Sequence, residues 1–244
     1  STTALPNNYG VSISGDGNLN IAGNTVSIGS GVASITGSGT SSIQNTGSST
    51  ATFTAASYSI ATNNAATISA ILAGSTSTLS MSGPGTLTLS ATNTYAGGST
   101  VSAGTLSVNS ANNLGGSTRA LTLAGGTLSL GTNGSSYTIA NPITLSANST
   151  ITNVGTSTVT MTGGVVGAGK ALTIAGTGAL TFSTGVISGA STSIVQNNSN
   201  TVTFSGNNTY TGSTTVNAGT LAAGVSTSGA SYGAYGVGSN ITVN

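Results

Sequence analysis

Few side chains in this sequence could do chemistry. Asp16, Arg119 and Lys170 are the only formally charged residues among 244, and there is no histidine, cysteine or tryptophan. Two acids flanking one bond are needed for paired-carboxylate hydrolysis, and the chain has one. A Ser-His-Asp triad lacks its imidazole, and the usual zinc sites lack both thiolate and imidazole. A Ser–Lys dyad would have to use Lys170, yet "GAGKALTIAG" (167–176) reads more simply as a corner lysine between two strands. "SGDGNL" around Asp16 has the look of a calcium loop, but one carboxylate falls short of the six to eight oxygens calcium takes, so a turn is the simpler reading. Arg119 in "GGSTRAL" reads as a solvated loop cation. "GGVVGAGK" lacks the phosphate-loop spacing. No enzyme activity, cofactor or metal is expected.

Charged residues make up 1% of the chain and the net charge is +1, where an ordinary domain carries about 25% charged residues. Without a basic face there is nothing to neutralise phosphates, so no nucleic-acid partner is expected. An anionic membrane surface is no better served. No apolar run approaches the ~18 residues of a membrane-spanning helix. "STTALPNNYG" at the start lacks the basic and apolar regions of a signal peptide, so a mature form or a fragment is expected. Low net charge and a mean hydropathy of +0.26 argue against disorder, which favours the opposite of both.

The elements that must position any site are strands. Apolar residues recur at i and i+2 in Val11/Ile13, Leu87/Leu89, Val159/Met161, Leu180/Phe182 and Val202/Phe204, among others. That alternation is the signature of half-buried strands. Gly, Asn, Ser and Thr lie between them and turn easily. In the second half the first apolar residue of each group falls at 143, 151, 159, 165, 172, 180, 187, 194 and 202. Every third group therefore repeats at a nearly constant interval, which predicts that Ile143, Val165 and Ile187 stack. The same step predicts Ile151 over Leu172 over Ile194, and Val159 over Leu180 over Val202.

A constant period of about 22 residues points to a solenoid. The expected fold is an all-β, three-sided parallel β-helix with one such period per rung, forming one domain over 1–244. About eleven rungs at ~4.8 Å give roughly 50 Å of length. The rival is an antiparallel sandwich or up-and-down barrel, which would show hairpin turns of the Asn-Gly or Asp-Gly kind.

One motif is written twice. "NTYAGGSTVSAGTL" (93–106) and "NTYTGSTTVNAGTL" (208–221) are nearly the same, and the wider segments 86–106 and 201–221 agree at most positions. The longer segments 83–116 and 200–224 resemble the autotransporter-associated β-strand repeat, also called the passenger-associated transport repeat. The resemblance implies a right-handed β-helical stalk at a bacterial cell surface or beyond it. It identifies an architecture rather than a task, since such folds carry many functions.

From these observations the expected function is a non-enzymatic extracellular structural protein that builds a fibre by head-to-tail stacking of copies of itself. The strand "NITV" (Asn240, Ile241, Thr242, Val243) is the candidate assembly edge, because it lacks the charge and proline that normally protect sheet edges. The alternative is an adhesin passenger binding glycans or a host surface, for which Tyr95 and Tyr210, if exposed, would stack on sugars; the simpler reading of both, at equivalent points of the two repeats, is corner packing. A third reading, ice binding, rests on Thr in "TVTMT" (158–162), "TLT" (86–88) and "TVT" (201–203). These Thr pairs do not recur at every rung, so ordinary strand propensity is preferred for them.

Overall fold

The structure is a computed structural model describing residues 2–4, 9–225, 233–238 and 240–244. Among these residues every regular element is a strand, and the strands pair in parallel. Antiparallel hairpins, the mark of the rival folds, do not join them. The contacts divide the chain into two compact units, Ser1–Arg119 and Ala120–Asn244.

In the first unit the chain visits three sides in a fixed order. Thr25–Ser27, Val32–Gly37 and Ser41–Gln44 make one turn, and Thr52–Thr54, Ser57–Thr62 and Ala65–Ile68 lie over them in the next. Inward residues stack into continuous columns. Ile13, Ile35, Ile60, Met81 and Val101 form one, and Leu19, Ile43, Ile68, Leu89 and Val108 another. Most of these side chains are almost fully buried, and burying each is worth ~1.5–3 kcal/mol. Tyr58 fills the interior between Phe53 and Tyr95, with ring centroids 6.2 and 6.4 Å away. Its hydroxyl reaches the Phe53 and Ala73 carbonyls at 2.6 and 2.7 Å.

The second unit repeats the plan. Leu121–Leu123, Thr127–Leu130 and Tyr137–Ile139 make its first turn, and Ile143–Leu145, Ser149–Asn153 and Val159–Met161 lie over them. The predicted columns Ile143–Val165–Ile187 and Val159–Leu180–Val202 are both present, so the period read in the sequence is the length of chain in one turn. Of the third column, Leu172 over Ile194 is present, and Ile151 needs a correction. Ile151 lies beside Ile174, and Leu172 lies beside Ser149. Strand Ser149–Asn153 opens with an inward, buried serine, so counting from its first apolar residue slips the register by two. Both residues still face inward, because a slip of two preserves the side.

Candidate functional site: two short coils and the outward faces

The duplicated motif occupies one place in each unit, and in each it marks a departure from the three-strand turn. In the first unit, strands Thr78–Met81 and Thr86–Leu89 are followed by Ser99–Val101 and Thr105–Val108, which stack on them. No strand forms between Leu89 and Ser99, so one side of the turn is missing. In the second unit Ser193–Gln196 and Thr201–Phe204 are followed by Thr214–Val216 and Thr220–Ala223 in the same relation. Here too the intervening side has no strand. Thr86 lies beside Thr105 and Thr201 beside Thr220, so the two turns have the same length. Both are shorter than the turns that carry Val159 to Leu180 and Ile151 to Ile174, and match the step from Thr52 to Ile71.

An asparagine fills the gap. Asn93 is buried, and its side-chain oxygen accepts the amide of Leu72 from the turn before, at 2.9 Å. Its side-chain nitrogen donates to the Asn113 carbonyl of the turn after, at 2.6 Å. Asn208 does the same between the Ile187 amide, at 2.7 Å, and the Ala234 carbonyl, at 2.6 Å. A side-chain amide has the donor and acceptor of a peptide group, so each Asn continues the ladder where no strand runs. The backbone amides follow suit, Asn93 donating to Asn112 and Asn208 to Gly233, both at 2.9 Å.

The tyrosine two residues later locks the corner. The Tyr95 hydroxyl meets the Ser99 hydroxyl at 2.7 Å, and that of Tyr210 meets Thr214 at 2.7 Å. Both tyrosines are 0% exposed. The adhesive role considered for Tyr95 and Tyr210 is therefore corrected: a ring with no accessible face cannot stack on a sugar. Burial pushes the Tyr210 hydroxyl up to about 12 and the Tyr95 hydroxyl higher still, because a phenolate there would lose its water. A glycine closes each corner. Gly115 (φ 77°) and Gly236 (φ 80°) turn back over the motif, and a Cβ on either would press into the Tyr95 or Tyr210 carbonyl oxygen.

The charged residues sit at bends of the coil. Asp16 is exposed, and its carboxylate accepts the Thr40 amide of the next turn at 2.7 Å. Lys170 follows Ala168 and Gly169, both at positive φ, and its carbonyl accepts the Ser193 amide at 3.1 Å. Arg119 is exposed, and its amide donates to the Gly116 carbonyl at 2.9 Å.

The candidate assembly strand, Ile241–Val243, pairs with Thr214–Val216. Ile241 and Val243 follow the inward positions of Thr214 and Val216, which are buried, yet are themselves 47% and 73% exposed. With Val216, Leu221 and Tyr235 they line a cavity.

Two segments, residues 79–108 and 194–223, match the family described as Passenger-associated-transport-repeat. Each match begins one strand earlier than the resembling segments 83–116 and 200–224, taking in the strand on which the motif's second half stacks. The chain thus carries two such repeats, and the family implies a secreted or surface-exposed β-helical protein. No curated protein and no solved structure gives a match.

Proposed function

We propose that the chain is a non-enzymatic structural element of a bacterial surface, building a fibre in which copies stack head to tail. The observation that carries this reading is the apolar surface of Ile241 and Val243. Both lie on inward columns, and the described residues leave much of each uncovered. The first turn of a second copy offers the complement: Val11, Ile13 and Leu19 line a recess on strands Val11–Ser14 and Asn18–Asn20. Parallel pairing of one copy's edge with the next would satisfy backbone groups as β-augmentation does. A net charge of +1 leaves little repulsion between copies.

Electron microscopy and light scattering of the purified chain at neutral pH test this. Filaments or end-to-end oligomers are expected, and Ile241→Lys with Val243→Lys should disperse them. Monomers that persist at high concentration would overturn the fibre reading.

A further inference from the structure

The second unit carries a surface lattice that a fibre does not use. On the side formed by Tyr137–Ile139, Val159–Met161, Leu180–Phe182 and Thr201–Phe204, the residue between each inward-facing pair points outward. These residues are Thr138, Thr160, Thr181 and Thr203, in register through four successive turns. Thr160, Thr181 and Thr203 each follow a member of the Val159–Leu180–Val202 column by one residue, so the same period carries both columns, one inward and one outward. The "TVTMT" and "TVT" segments noted in the sequence lie within it.

We propose that this face binds ice. Neighbouring hydroxyls along the column stand ~4.7–4.9 Å apart, and outward residues along a strand ~6.6 Å apart. Both repeats lie close to oxygen spacings in the lattice of hexagonal ice. On one flank Thr162, Ser183 and Ser205 follow the column; on the other Thr201 lies beside Thr220 but next to Ala179 in the turn before, and the central column itself ends at Ala222. Threonine is β-branched, so its χ1 is restricted and its hydroxyl and methyl stay in place without a large entropy cost on binding. Among the described residues no other protein group engages the four central hydroxyls, which leaves them for water.

The inner side is built to hold the strands in line. Val159, Leu180 and Val202 stack below the column, and the Phe182 and Phe204 rings meet edge to face at 5.3 Å. Side-chain ladders of this kind keep a sheet from twisting. No charged residue lies on these strands, and a charge would hold its own hydration shell against a neutral lattice. The other sides are less regular. One column runs Thr127, Thr150 and Thr173, is interrupted by Val195 and resumes with Thr215 and Thr242. Another runs Thr122, Thr144 and then Val166.

Thermal hysteresis and ice-crystal shape, measured on the whole chain, test the proposal. The wild type should separate freezing from melting and facet the crystals. Thr181→Tyr, in the middle of the column, should abolish both, with an unchanged far-ultraviolet spectrum showing that the fold survives. Thr144→Tyr, on another side, should leave both intact. Absence of hysteresis in the wild type overturns the proposal, as does equal behaviour of the two variants. A Thr181-dependent dimer without hysteresis would assign the face to a second copy and overturn it equally.

Discussion

The side-chain oxygen of Asn93 takes the amide of Leu72 at 2.9 Å, doing with one residue what a strand does elsewhere in the turn. Asn208 holds the Ile187 amide in the same way at the corresponding place of the second copy. Two copies of one motif thus solve one problem: closing a turn that is shorter than its neighbours.

Removing that amide strands a buried donor and a buried acceptor, each costing ~1–3 kcal/mol. Asn208→Ala should therefore lower stability by about 2–4 kcal/mol in denaturant unfolding. The adjacent Asn207 is exposed, and Asn207→Ala should stay within about 0.5 kcal/mol of wild type. Equal effects at the two positions would contradict the ladder role.

Tyr210→Phe removes the hydroxyl that pairs with Thr214, itself buried. A loss of about 1 kcal/mol is expected for the phenylalanine and about 3–5 kcal/mol for Tyr210→Ala. Calorimetry of the two variants separates ring packing from the hydrogen bond.

Gly115→Ala should be more damaging than its size suggests. The left-handed backbone alone costs ~1–2 kcal/mol for an alanine, and the new Cβ would stand 2.5 Å from the Tyr95 carbonyl oxygen. Gly134, also at positive φ but with open space around it, is the control: Gly134→Ala should show the backbone cost only.

Much of this was legible in the residues. Val159, Leu180 and Val202 announce their column because each is the first apolar residue of its group and the turns between them are nearly equal in length. Ser149 hides its strand's register because a buried serine looks like a turn residue in the sequence. Tyr95 and Tyr210 read as corner packing from their equivalent places in the two repeats, and they are buried there; their partners Ser99 and Thr214 were not legible, since alternation fixes side-chain direction only within a strand. The pairing of Asn93 with the "NNLGG" segment (112–116) had a signal, because "YGVG" (235–238) follows the second motif in a related place. The Thr138–Thr203 column shares that period, but outward threonines carry no apolar signal, so it stands out only once the turns are laid over one another.

The pH response follows from the buried tyrosines. In the unfolded chain a tyrosine titrates near 10; in the fold Tyr58 and Tyr210 are held up to about 12 by burial. Above pH ~10 the unfolded state releases protons that the folded state keeps, so stability falls as pH rises. With no histidine and a single acid in the chain, denaturant midpoints should be flat from about pH 5 to 9 and decline between about 10 and 12. A strong dependence near neutrality would contradict this.

Trypsin has two sites. Arg119 is exposed and ends the first compact unit, whereas Lys170 is half-buried and its carbonyl is bonded to the next turn. Brief digestion followed by mass spectrometry should show cleavage after Arg119 well before cleavage after Lys170.

The asparagine-bridged corner also bears on how such a chain could change over generations. Because Asn93 and Asn208 let a whole side of the turn be dropped while the columns above and below stay aligned, residues can be gained or lost there without reshuffling the interior. The motif works as an expansion joint, and lineages descended from this gene would be expected to vary in length chiefly at such joints.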